Sequence, residues 1–572
     1  MTQPPQPQGR RDRTILLTGY AAKQCARRVH NEWDPTIESV SWEVPPELEM
    51  RFEAGRDFES EIFAMLRKAL GDRCVDLSDL RGKQACIDAT VSAMESGVEM
   101  ILGGWLPDDT GGGRTGKPDM LLRFDTQGSQ ASYVPGDVKH HRTAAKRAKG
   151  TLRFSRLRTP GKVDLRPGHA AQTSTRLDDY LQLAHYWRML EACGRAPDGV
   201  DATGFIVGTD DFADLGPLGS VLVWLDLDVP HFETYSRSQG TAKRTAMERY
   251  DHEQGFRLQV AQVAASRAGS PSDPPPLVEP IFKDECDSCP WYDYCRDITG
   301  ADVASAHITS GRLSVREWHA LQTLGVSTID ELAGVDLKEK EFLARYLPEV
   351  THVKDPASRL EHAIRRASMI QAGTQIERET TGSIGVPRAD IEIDFDIEWD
   401  AENRVYLWGA LVNRAGQDPT YEPTVDWRKL DDQAEIALAE SFVTWLRDLV
   451  ATASANGQSV QIYHYSHPEP AHLRRLLGGD AVQDLIDLFV DLLAIIRQHY
   501  FGLQGLGIKK VAPAFGFNWR DEQPGGLQSQ VWLQQARDGI SDEQAAARQR
   551  ILEYNEDDVQ ATAAIRSGLT GM

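Results

Sequence analysis

The sequence has no run of about 20 apolar residues, the length that a helix needs to cross a bilayer, which excludes a membrane-spanning protein from our expectations. It has no apolar secretory segment near its start either. Residues 1–13 are polar and rich in proline and glutamine, so we expect a disordered tail and a cytoplasmic location. Cysteine is scarce, with seven residues in 572, and the odd number argues against a disulfide framework. Metal binding or simple burial remain as roles for these thiols.

Positive charge is in short supply, because 63 Lys and Arg stand against 85 Asp and Glu and leave a formal net charge of -22. Nucleic-acid binding depends on local rather than net charge, since phosphates are neutralised by the residues that touch them. Residues 139–166 hold ten Lys and Arg and a single acid, Asp164. We therefore expect a local basic surface there, although a solvated loop would have the same composition.

The length of the chain predicts at least two domains, since single hydrophobic cores rarely serve chains beyond about 250–300 residues. We expect an α/β unit over 14–300, a helical connector over 301–350, a linker over 351–388 and a second α/β unit over 389–572. Within the connector, LQTLGVSTIDELAGV has the pattern of helix, glycine turn, threonine cap and second helix. It predicts a helix-hairpin-helix that offers backbone amides to phosphate, or else a plain helical spacer.

A predicted hairpin in the first unit gathers charged side chains. Asp119 heads the strand of GKPDMLLRF, and a polar turn leads into the strand of YVPGDVKHH. Antiparallel pairing brings Asp119 beside Asp137, and the two-residue period of a strand places Asp137 and Lys139 on one face. Two carboxylates and an ammonium group can hold Mg²⁺ or Mn²⁺ and direct water at a phosphodiester. An exposed hairpin with a salt bridge is the alternative.

These motifs resemble the PD-(D/E)XK core of RecB-like nucleases, in which PD is followed by an acid-x-Lys strand. Two further elements of that family occur in the right order, the upstream helix GRDFESEIFAML and the downstream helix with QLAHY. The resemblance implies a catalytic set of Glu59, Asp119, Asp137, Lys139, Gln182 and Tyr186, with the three acids near the metal. Phe58 stands where many relatives have a histidine, and this departure bears on the role of Glu59 as a ligand.

Three cysteines, Cys286, Cys289 and Cys295, lie within the ten residues CDSCPWYDYC. Thiolates so close together normally share a metal, but a fourth ligand is missing locally. Cys25, in the basic segment GYAAKQCARRVHNEW, completes a pattern that resembles iron-sulfur RecB-like nucleases, among them CRISPR-associated exonucleases. The resemblance implies a [4Fe-4S] cluster that ties both ends of the domain together. Zn²⁺ on the same four thiolates is the alternative.

The segment IEIDFDIEWD alternates strictly, which places Asp394, Asp396 and Glu398 on one face of a strand. The next segment, RVYLWGALV, pairs as a second strand and favours a central position over an exposed edge. FDIE resembles the first motif of DnaQ-like, RNase H-fold exonucleases, and YNEDDV resembles their Y-x3-D motif. The resemblance implies metal ions held by Asp396, Glu398 and Asp558, with Asp394 in reserve and Tyr554 orienting the attacking water.

A further carboxylate of this second site is expected after the strand VQIYHY. In the following SHPEPAHLRRL, Glu469 stands where the family usually has an aspartate. Asp487 and Asp491, on DLIDLFVDLL, are rivals for the same role.

The order of all these motifs resembles a family of bacterial RecB-like iron-sulfur nucleases with a C-terminal DEDDy-type exonuclease domain. It implies three parts: a PD-(D/E)XK restriction-endonuclease-like α/β domain with an iron-sulfur clasp, the small helical connector, and an RNase H-like α/β domain. The implied activity is that of a Mg²⁺- or Mn²⁺-dependent deoxyribonuclease on single-stranded ends or flaps, in DNA repair, recombination or foreign-DNA processing. Some relatives carry a helicase, whereas this chain has no G-x4-G-K-[ST] motif, so we expect any motor to be a separate protein.

Five basic residues are expected to guide the DNA strand, namely Arg142, Lys146, Arg147, Arg153 and Arg156. Two other functions stay open. The chain could be a DNA-binding scaffold with retired sites that partners a helicase, or a nuclease that acts on RNA.

Overall fold

The computed structural model describes residues 14–124, 130–210, 212, 220–236, 240–521 and 526–570. The chain divides into two compact units, Met1–Gly300 and Ala301–Met572. The expected tail over residues 1–13 lies outside the described residues. In the part of the chain that the structure describes, no helix combines the length and the apolar character that a membrane span requires.

The first unit is built on a mixed sheet with the strand order β1-β2-β3-β4-β7-β8-β5-β6. Pairs β1–β2 and β4–β7 are parallel and the other neighbours are antiparallel. A separate ribbon joins β9 to β10. The strands are β1 (Cys74–Asp76), β2 (Met100–Leu102), β3 (Met120–Arg123), β4 (Tyr133–Val138), β5 (Ala144–Arg156), β6 (Thr159–Ala171), β7 (Thr203–Val207), β8 (Val221–Asp226), β9 (Phe232–Ser236) and β10 (Gly240–Arg244).

Helices cover this sheet and enclose its core. They are α1 (Ala26–Trp33), α2 (Pro46–Leu70), α3 (Lys83–Glu95), α4 (Leu177–Ala192), α5 (Ala246–Ala265) and α6 (Tyr292–Thr299). Helix α5 begins with a capping box in which Thr245 and Glu248 satisfy each other's backbone amides. Helix α4 is buried along most of its length, so its polar residues Gln182 and His185 must find partners inside the protein.

The basic run over residues 139–166 is ordered as a hairpin rather than as a loop. Strands β5 and β6 pair in antiparallel register over most of their length, with Leu152 and Phe154 buried on the inner face. The abundant Lys and Arg hide the underlying alternation, because long charged side chains occupy its outer positions. The hairpin gives the basic side chains a defined surface.

The second unit contains a five-stranded sheet with the order β14-β13-β12-β15-β16, so β12 is central. Strands β12, β13 and β14 pair antiparallel, and β15 and β16 add parallel to the other side. A small antiparallel ribbon joins β11 to β17. The strands are β11 (Ile376–Arg378), β12 (Ile391–Trp399), β13 (Val405–Arg414), β14 (Thr420–Val425), β15 (Val460–His464), β16 (Phe489–Asp491) and β17 (Tyr500–Gly502).

Helices pack on both faces of this second sheet. On one face, the Phe442 ring of α12 lies 5.4 Å from that of Phe395 and 5.3 Å from that of Trp408. The polar face of β12 is covered by α18, which carries Asn555 and Asp558. The helices of the second unit are α7 (Ala304–His307), α8 (Val315–Thr323), α9 (Ile329–Ala333), α10 (Lys340–Tyr346), α11 (Pro356–Ala372), α12 (Asp432–Ala455), α13 (Pro468–Leu477), α14 (Gly479–Ile486), α15 (Leu492–His499), α16 (Ile508–Val511), α17 (Gly526–Asp538) and α18 (Ser541–Thr570).

The helical pair α8 and α9 is joined through a turn at Gly325, whose φ of 80° favours glycine. The sequence pattern left two alternatives open for this hairpin, phosphate binding by its amides and a plain helical spacer. The Glu331 carboxylate accepts hydrogen bonds from the backbone amides of Ser327 and Thr328 at 2.8 and 2.9 Å. These two amides are therefore already paired within the protein, while the phosphate-binding alternative stays a prediction.

The segment 351–388, which we expected to be a linker, contains the 17-residue helix α11 and strand β11. The buried face of α11 consists of Leu360, Ala363, Ala367 and Met369 together with Arg366. Alanine contributes little to the apolar periodicity of a helix, and a buried arginine interrupts it. The helical period of α11 therefore cannot be recognised in the sequence.

Candidate active sites

The first carboxylate site forms where β3 and β4 lie side by side. Their antiparallel register pairs Met120 with Gly136, and Asp119 directly precedes β3. One carboxylate oxygen of Asp119 accepts a hydrogen bond of 2.8 Å from the backbone amide of Val138. Asp137 and Lys139 form an ion pair at the same end of these two strands. The hairpin thus brings together the two carboxylates and the ammonium group of the expected core.

The charges of this site are partly balanced inside the protein. Burial and the neighbouring Asp137 raise the pKa of Asp119 well above its usual range. Burial acts in the same direction on Asp137, but the Lys139 ammonium outweighs it and lowers the pKa of Asp137. The carboxylates in turn hold the pKa of Lys139 above its usual value, against the effect of burial. The surroundings therefore favour the charged form of Asp137 and disfavour that of Asp119.

Helix α4 presents Gln182 and Tyr186 to this site. The side-chain oxygen of Gln182 accepts hydrogen bonds from Lys139 at 3.1 Å and from Lys23 at 2.7 Å. Its amide nitrogen donates to the Tyr186 hydroxyl at 3.3 Å. The two residues are one helical turn apart, so both face the carboxylates.

Two members of the site escaped the sequence patterns, namely Tyr20 and Lys23. Lys23 lies 4.3 Å from the centre of the Tyr20 ring, and burial lowers the pKa of its ammonium to about 8. Both residues precede Cys25 in the segment GYAAKQC. That segment had drawn attention only for its cysteine, and no periodicity could show that it reaches α4.

Glu59 of α2 faces the same carboxylates from farther away. Burial and the charge of Asp137 raise its pKa. Among the described residues, Glu59, Asp119 and Asp137 do not form a group whose ligand atoms all lie within 4.8 Å of one another. Phe58, at the place of the family's histidine, packs against His140 with 5.3 Å between the ring centres.

The five basic residues expected to guide DNA fall into two groups on the β5–β6 hairpin. Arg153 pairs with Asp226, and Arg156 lies 3.9 Å from Asp164. The side chains of the others are exposed and have no ion pair within the described part of the chain; they are Arg142, Lys146 and Arg147. Only this second group has its full charge available to a ligand.

The four predicted cluster cysteines, Cys25, Cys286, Cys289 and Cys295, line one cavity. Burial raises the pKa of Cys286 to about 12 and that of Cys295 to about 11. The amide nitrogen of buried Asn31 donates to the sulfur of Cys295 at 3.6 Å. Four thiols converge although about 260 residues separate Cys25 from the others. Arg27 and Arg28 also line the cavity.

The second carboxylate site lies between the central strand β12 and helix α18. Asp396 and Glu398 alternate along β12, and Asp558 faces them from α18. One ligand oxygen from each of the three acids lies within 4.8 Å of those of the other two. Glu398 and Asp558 are buried and Asp396 is half-buried.

The second site holds negative charge that its surroundings do not balance. Burial and the charge of Asp558 raise the pKa of Asp396 well above its usual range, and they raise that of Glu398 to about 8. Burial also raises the pKa of Asp558, although Lys509 opposes the change. Carboxylates held together in this way bind hard divalent cations, which remove the repulsion.

The sequence of residues 393–570 matches a family described as the RNase H superfamily. Those residues include the central sheet, the three acids and α18. Residues 393–570 form an RNase H-like domain. The match indicates a nuclease-type function and confirms the RNase H-like part of the predicted fold; it does not extend to the first unit. No curated protein and no solved structure matches the chain.

In the RNase H-like domain, Tyr554 precedes Asp558 by one turn of α18 and also faces the site. Lys509 of α16 donates a hydrogen bond to the Tyr554 hydroxyl and lies 3.3 Å from the carboxylate of Asp558. The indole nitrogen of Trp519 donates to the same Asp558 oxygen at 2.7 Å. Burial and the charges of the acids keep the pKa of Tyr554 above its usual value, so the phenol stays protonated.

Glu469 does not join the group of three. It lies buried in the first turn of α13, where its carboxylate is 3.5 Å from the Nδ1 atom of buried His464. Its charge contributes to the raised pKa of Asp396, so Glu469 faces the site from behind the three acids. The pairing with His464, at the end of β15, had no signal in the motif.

The rivals of Glu469 have other roles in the RNase H-like domain. Asp487 is exposed, follows α14 and accepts a hydrogen bond of 2.7 Å from Gln483. Asp491 caps α15 through the amide of Ala494 and also binds the amide of Ser466, at 3.2 and 3.1 Å. Neither carboxylate belongs to the group formed by Asp396, Glu398 and Asp558.

Asp394 was expected as a reserve ligand, and this expectation was wrong. The buried guanidinium of Arg566, on α18, binds both carboxylate oxygens of Asp394 at 3.0 and 2.7 Å. The same guanidinium pairs with Glu392. A carboxylate saturated by arginine is not available to a metal, and no pattern in the sequence indicates that Arg566 reaches it.

Asn555 and Tyr421 are site residues that the motifs did not reveal. The Asn555 amide donates to Asp396 at 2.9 Å, and its carbonyl oxygen accepts from the Tyr421 hydroxyl at 2.8 Å. Asn555 fits there because β13 has a glycine opposite: a Cβ on Gly409 would lie 1.6 Å from the Asn555 oxygen. This chain of hydrogen bonds fixes the orientation of the Asp396 carboxylate.

Proposed function

We propose that the protein is a metal-dependent deoxyribonuclease whose RNase H-like domain hydrolyses phosphodiester bonds. The observation that supports this most directly is the convergence of Asp396, Glu398 and Asp558 within 4.8 Å. The family match of residues 393–570 supports the same reaction class.

The donor set fits Mg²⁺ or Mn²⁺. All three groups are hard oxygen ligands, and burial together with neighbouring carboxylates raises their pKa values. When bound, a divalent cation supplies Lewis-acid stabilisation of the phosphodiester and makes water a better nucleophile at neutral pH. Asp396, Glu398 and Asp558 would hold it.

The remaining side chains position the reactants. Tyr554 stays protonated, so its hydroxyl acts as a hydrogen-bond donor rather than as a base. It can hold the attacking water or a phosphate oxygen in place. Asn555 keeps the Asp396 carboxylate turned toward the other two acids through its 2.9 Å hydrogen bond.

The test is Mn²⁺-dependent degradation of end-labelled single-stranded DNA by the full chain and by Asp396→Asn/Glu398→Gln. We expect the double variant to lose about 10²-fold or more of the activity of this site. Asp487→Asn is the matched control, because it removes an exposed acid of the same domain. Full activity in the double variant, measured with Asp119→Asn also present to silence the carboxylate site of the first unit, would overturn the assignment of this site.

The first unit supports a second nuclease site of the PD-(D/E)XK type. The supporting observation is that Asp119, Asp137 and Lys139 meet beside Gln182, where β3 begins and β4 ends. In this reading Asp119 and Asp137, with Glu59 behind them, hold the cation, and Lys139 directs the attacking water. Assaying Asp119→Asn beside the double variant separates the contributions of the two sites to cleavage.

The four cysteines fit an iron-sulfur cluster better than zinc. Thiolates around one Zn²⁺ lie about 3.8 Å apart, given a Zn–S distance of about 2.3 Å. Within the described ranges, no three of these sulfur atoms lie within 4.8 Å of one another. A [4Fe-4S] cluster holds its thiolates farther apart because irons and sulfides lie between them. Iron analysis of anaerobically purified protein tests this, with loss of iron expected in Cys286→Ser; stoichiometric zinc would contradict it.

Single-stranded ends or flaps, released by a separate helicase, are the substrates that we propose. The supporting observation is the exposed basic group of Arg142, Lys146 and Arg147 on the ordered hairpin. A competition assay in which single-stranded DNA, duplex DNA and RNA compete for binding to the protein tests this choice of substrate.

A further inference from the structure

One cation of the RNase H-like domain is not explained by any of the motifs, the ammonium group of Lys509. It follows Gly507 in the short helix α16, within the segment LQGLGIKKVAPAFGF. The ammonium lies 4.0 Å from the centre of the Tyr554 ring and 5.2 Å from that of Trp519. An aromatic pair therefore holds the cation at the mouth of the three acids.

The contacts of Lys509 define the direction of a hydrogen-bond chain. An ammonium group has donors only, so in its hydrogen bond with Tyr554 the hydroxyl oxygen must accept. The hydroxyl proton of Tyr554 is then free to point elsewhere, toward the space in front of the carboxylates. Without Lys509, the phenol proton could turn toward a nearby carboxylate and be lost for that role.

Lys509 also competes with a metal for Asp558. Lys509 and Trp519 both lie against the same oxygen of that carboxylate, at 3.3 and 2.7 Å. Among the described residues, no donor contacts its second oxygen. One side of Asp558 is thus reserved for the protein and the other is left for a ligand.

The structure assigns to Lys509 the role of a positioning residue of the nuclease site: it fixes Tyr554 as a donor and limits Asp558 to one free oxygen. This assignment rests on the function proposed for the site. It makes an unusual prediction, because the same group that supports the reaction weakens the binding of the metal.

The experiment compares Lys509→Met with Lys510→Met in the full chain, with Asp119→Asn present in every protein to silence the first site. Lys510 is the matched control, since it is the adjacent lysine, is exposed and carries the same charge. Mn²⁺ affinity is measured by electron paramagnetic resonance. The kinetic constants kcat and KM are measured separately, from the cleavage of single-stranded DNA. For Lys509→Met we expect Mn²⁺ to bind about tenfold tighter. We also expect kcat to fall about 10²-fold at an unchanged KM.

The outcomes separate the two proposals. Tighter Mn²⁺ binding in Lys509→Met, together with no cleavage by the parent protein, would support the competition but refute the nuclease. Cleavage by the parent with Mn²⁺ affinity and kcat in Lys509→Met equal to those of Lys510→Met would overturn the role of Lys509. If Lys509→Met does not fold, Lys509→Arg decides. Its planar guanidinium keeps the positive charge but cannot reproduce the contact that the compact ammonium makes with the Tyr554 hydroxyl, so we expect near-normal Mn²⁺ affinity with a lower kcat. A normal kcat would overturn the proposal.

Discussion

In the first unit, the carboxylate of Asp137 faces the ammonium of Lys139, whereas in the RNase H-like domain three acids face one another across β12 and α18. The first arrangement lowers the pKa of Asp137 although that of Asp119 stays raised, and the second raises the pKa values of Asp396, Glu398 and Asp558. In the first site the protein itself supplies a positively charged partner for the buried carboxylate. In the second site a cation from solution can supply that charge. From this difference we expect the second site to depend more on a bound metal ion than the first.

The largest effect should come from removing the internal partner in the first site. Lys139→Met leaves Asp137 buried without its counter-charge, and we expect the free energy of unfolding of this unit to fall by about 3–5 kcal/mol. The free energy of unfolding is measured by urea titration, with hydrogen exchange in peptides of β3 and β4 as the signal. Lys149→Met, which removes an exposed lysine of the β5–β6 hairpin, should change little. Equal stability of the two variants would break the comparison between the sites.

Gly409→Ala probes how the RNase H-like site keeps its shape. The added Cβ would lie 1.6 Å from the Asn555 oxygen, so Asn555 must leave its place beside Asp396. We expect a loss of about 1–3 kcal/mol in the stability of this domain, with weaker Mn²⁺ binding. In Gly385→Ala the new methyl group meets nothing within 4 Å, and stability should be unchanged. If both variants bind Mn²⁺ normally, the Asn555 contact does not orient Asp396.

The contribution of the second site to stability should fall as pH rises. In the second site, the pKa of Glu398 is raised from 4.5 to about 8, so the metal-free folded protein binds more protons than the unfolded chain in that window. Its contribution to the free energy of unfolding therefore falls as pH rises from about 5 to 8. Asp558→Asn should recover about 1 kcal/mol at pH 8.

Calorimetry in EDTA and in Mn²⁺, at pH 5.5 and pH 8, measures this effect. Mn²⁺ should raise the melting temperature more at pH 8, where the carboxylates are ready to bind it. A melting temperature in EDTA that Asp558→Asn does not raise at pH 8 would contradict the assigned repulsion.

The smallest effect per residue is expected on the basic hairpin of the first unit. Replacing Arg142, Lys146 and Arg147 by Gln should lower the slope of log K against log salt for single-stranded DNA by about 2, or about 0.7 for each contact. Replacing Arg153 and Arg156 should lower it less, because both already pair with acids. Filter binding at several salt concentrations measures both slopes. Equal slopes for the two variants would show that the ion pairs do not withhold charge.

The sequence alone determined much of both sites. Strict alternation in IEIDFDIEWD placed Asp396 and Glu398 on one strand face, and the four-residue spacing of Tyr554 and Asp558 placed them on one helix face. The RNase H-like domain could be predicted from these motifs, and the family match confirms it. Local periodicity is sufficient where a single strand or helix orients the side chains.

Only the tertiary structure decided which distant groups meet these acids. It separated Asp394, which Arg566 saturates, from Asp396, which Asn555 orients, although the two acids share a strand face. It placed Lys509 against Tyr554 and turned residues 144–171 into a hairpin. Such partners are separated by tens to more than 150 residues of sequence, and their pairing depends on how the elements pack, for which no local pattern exists.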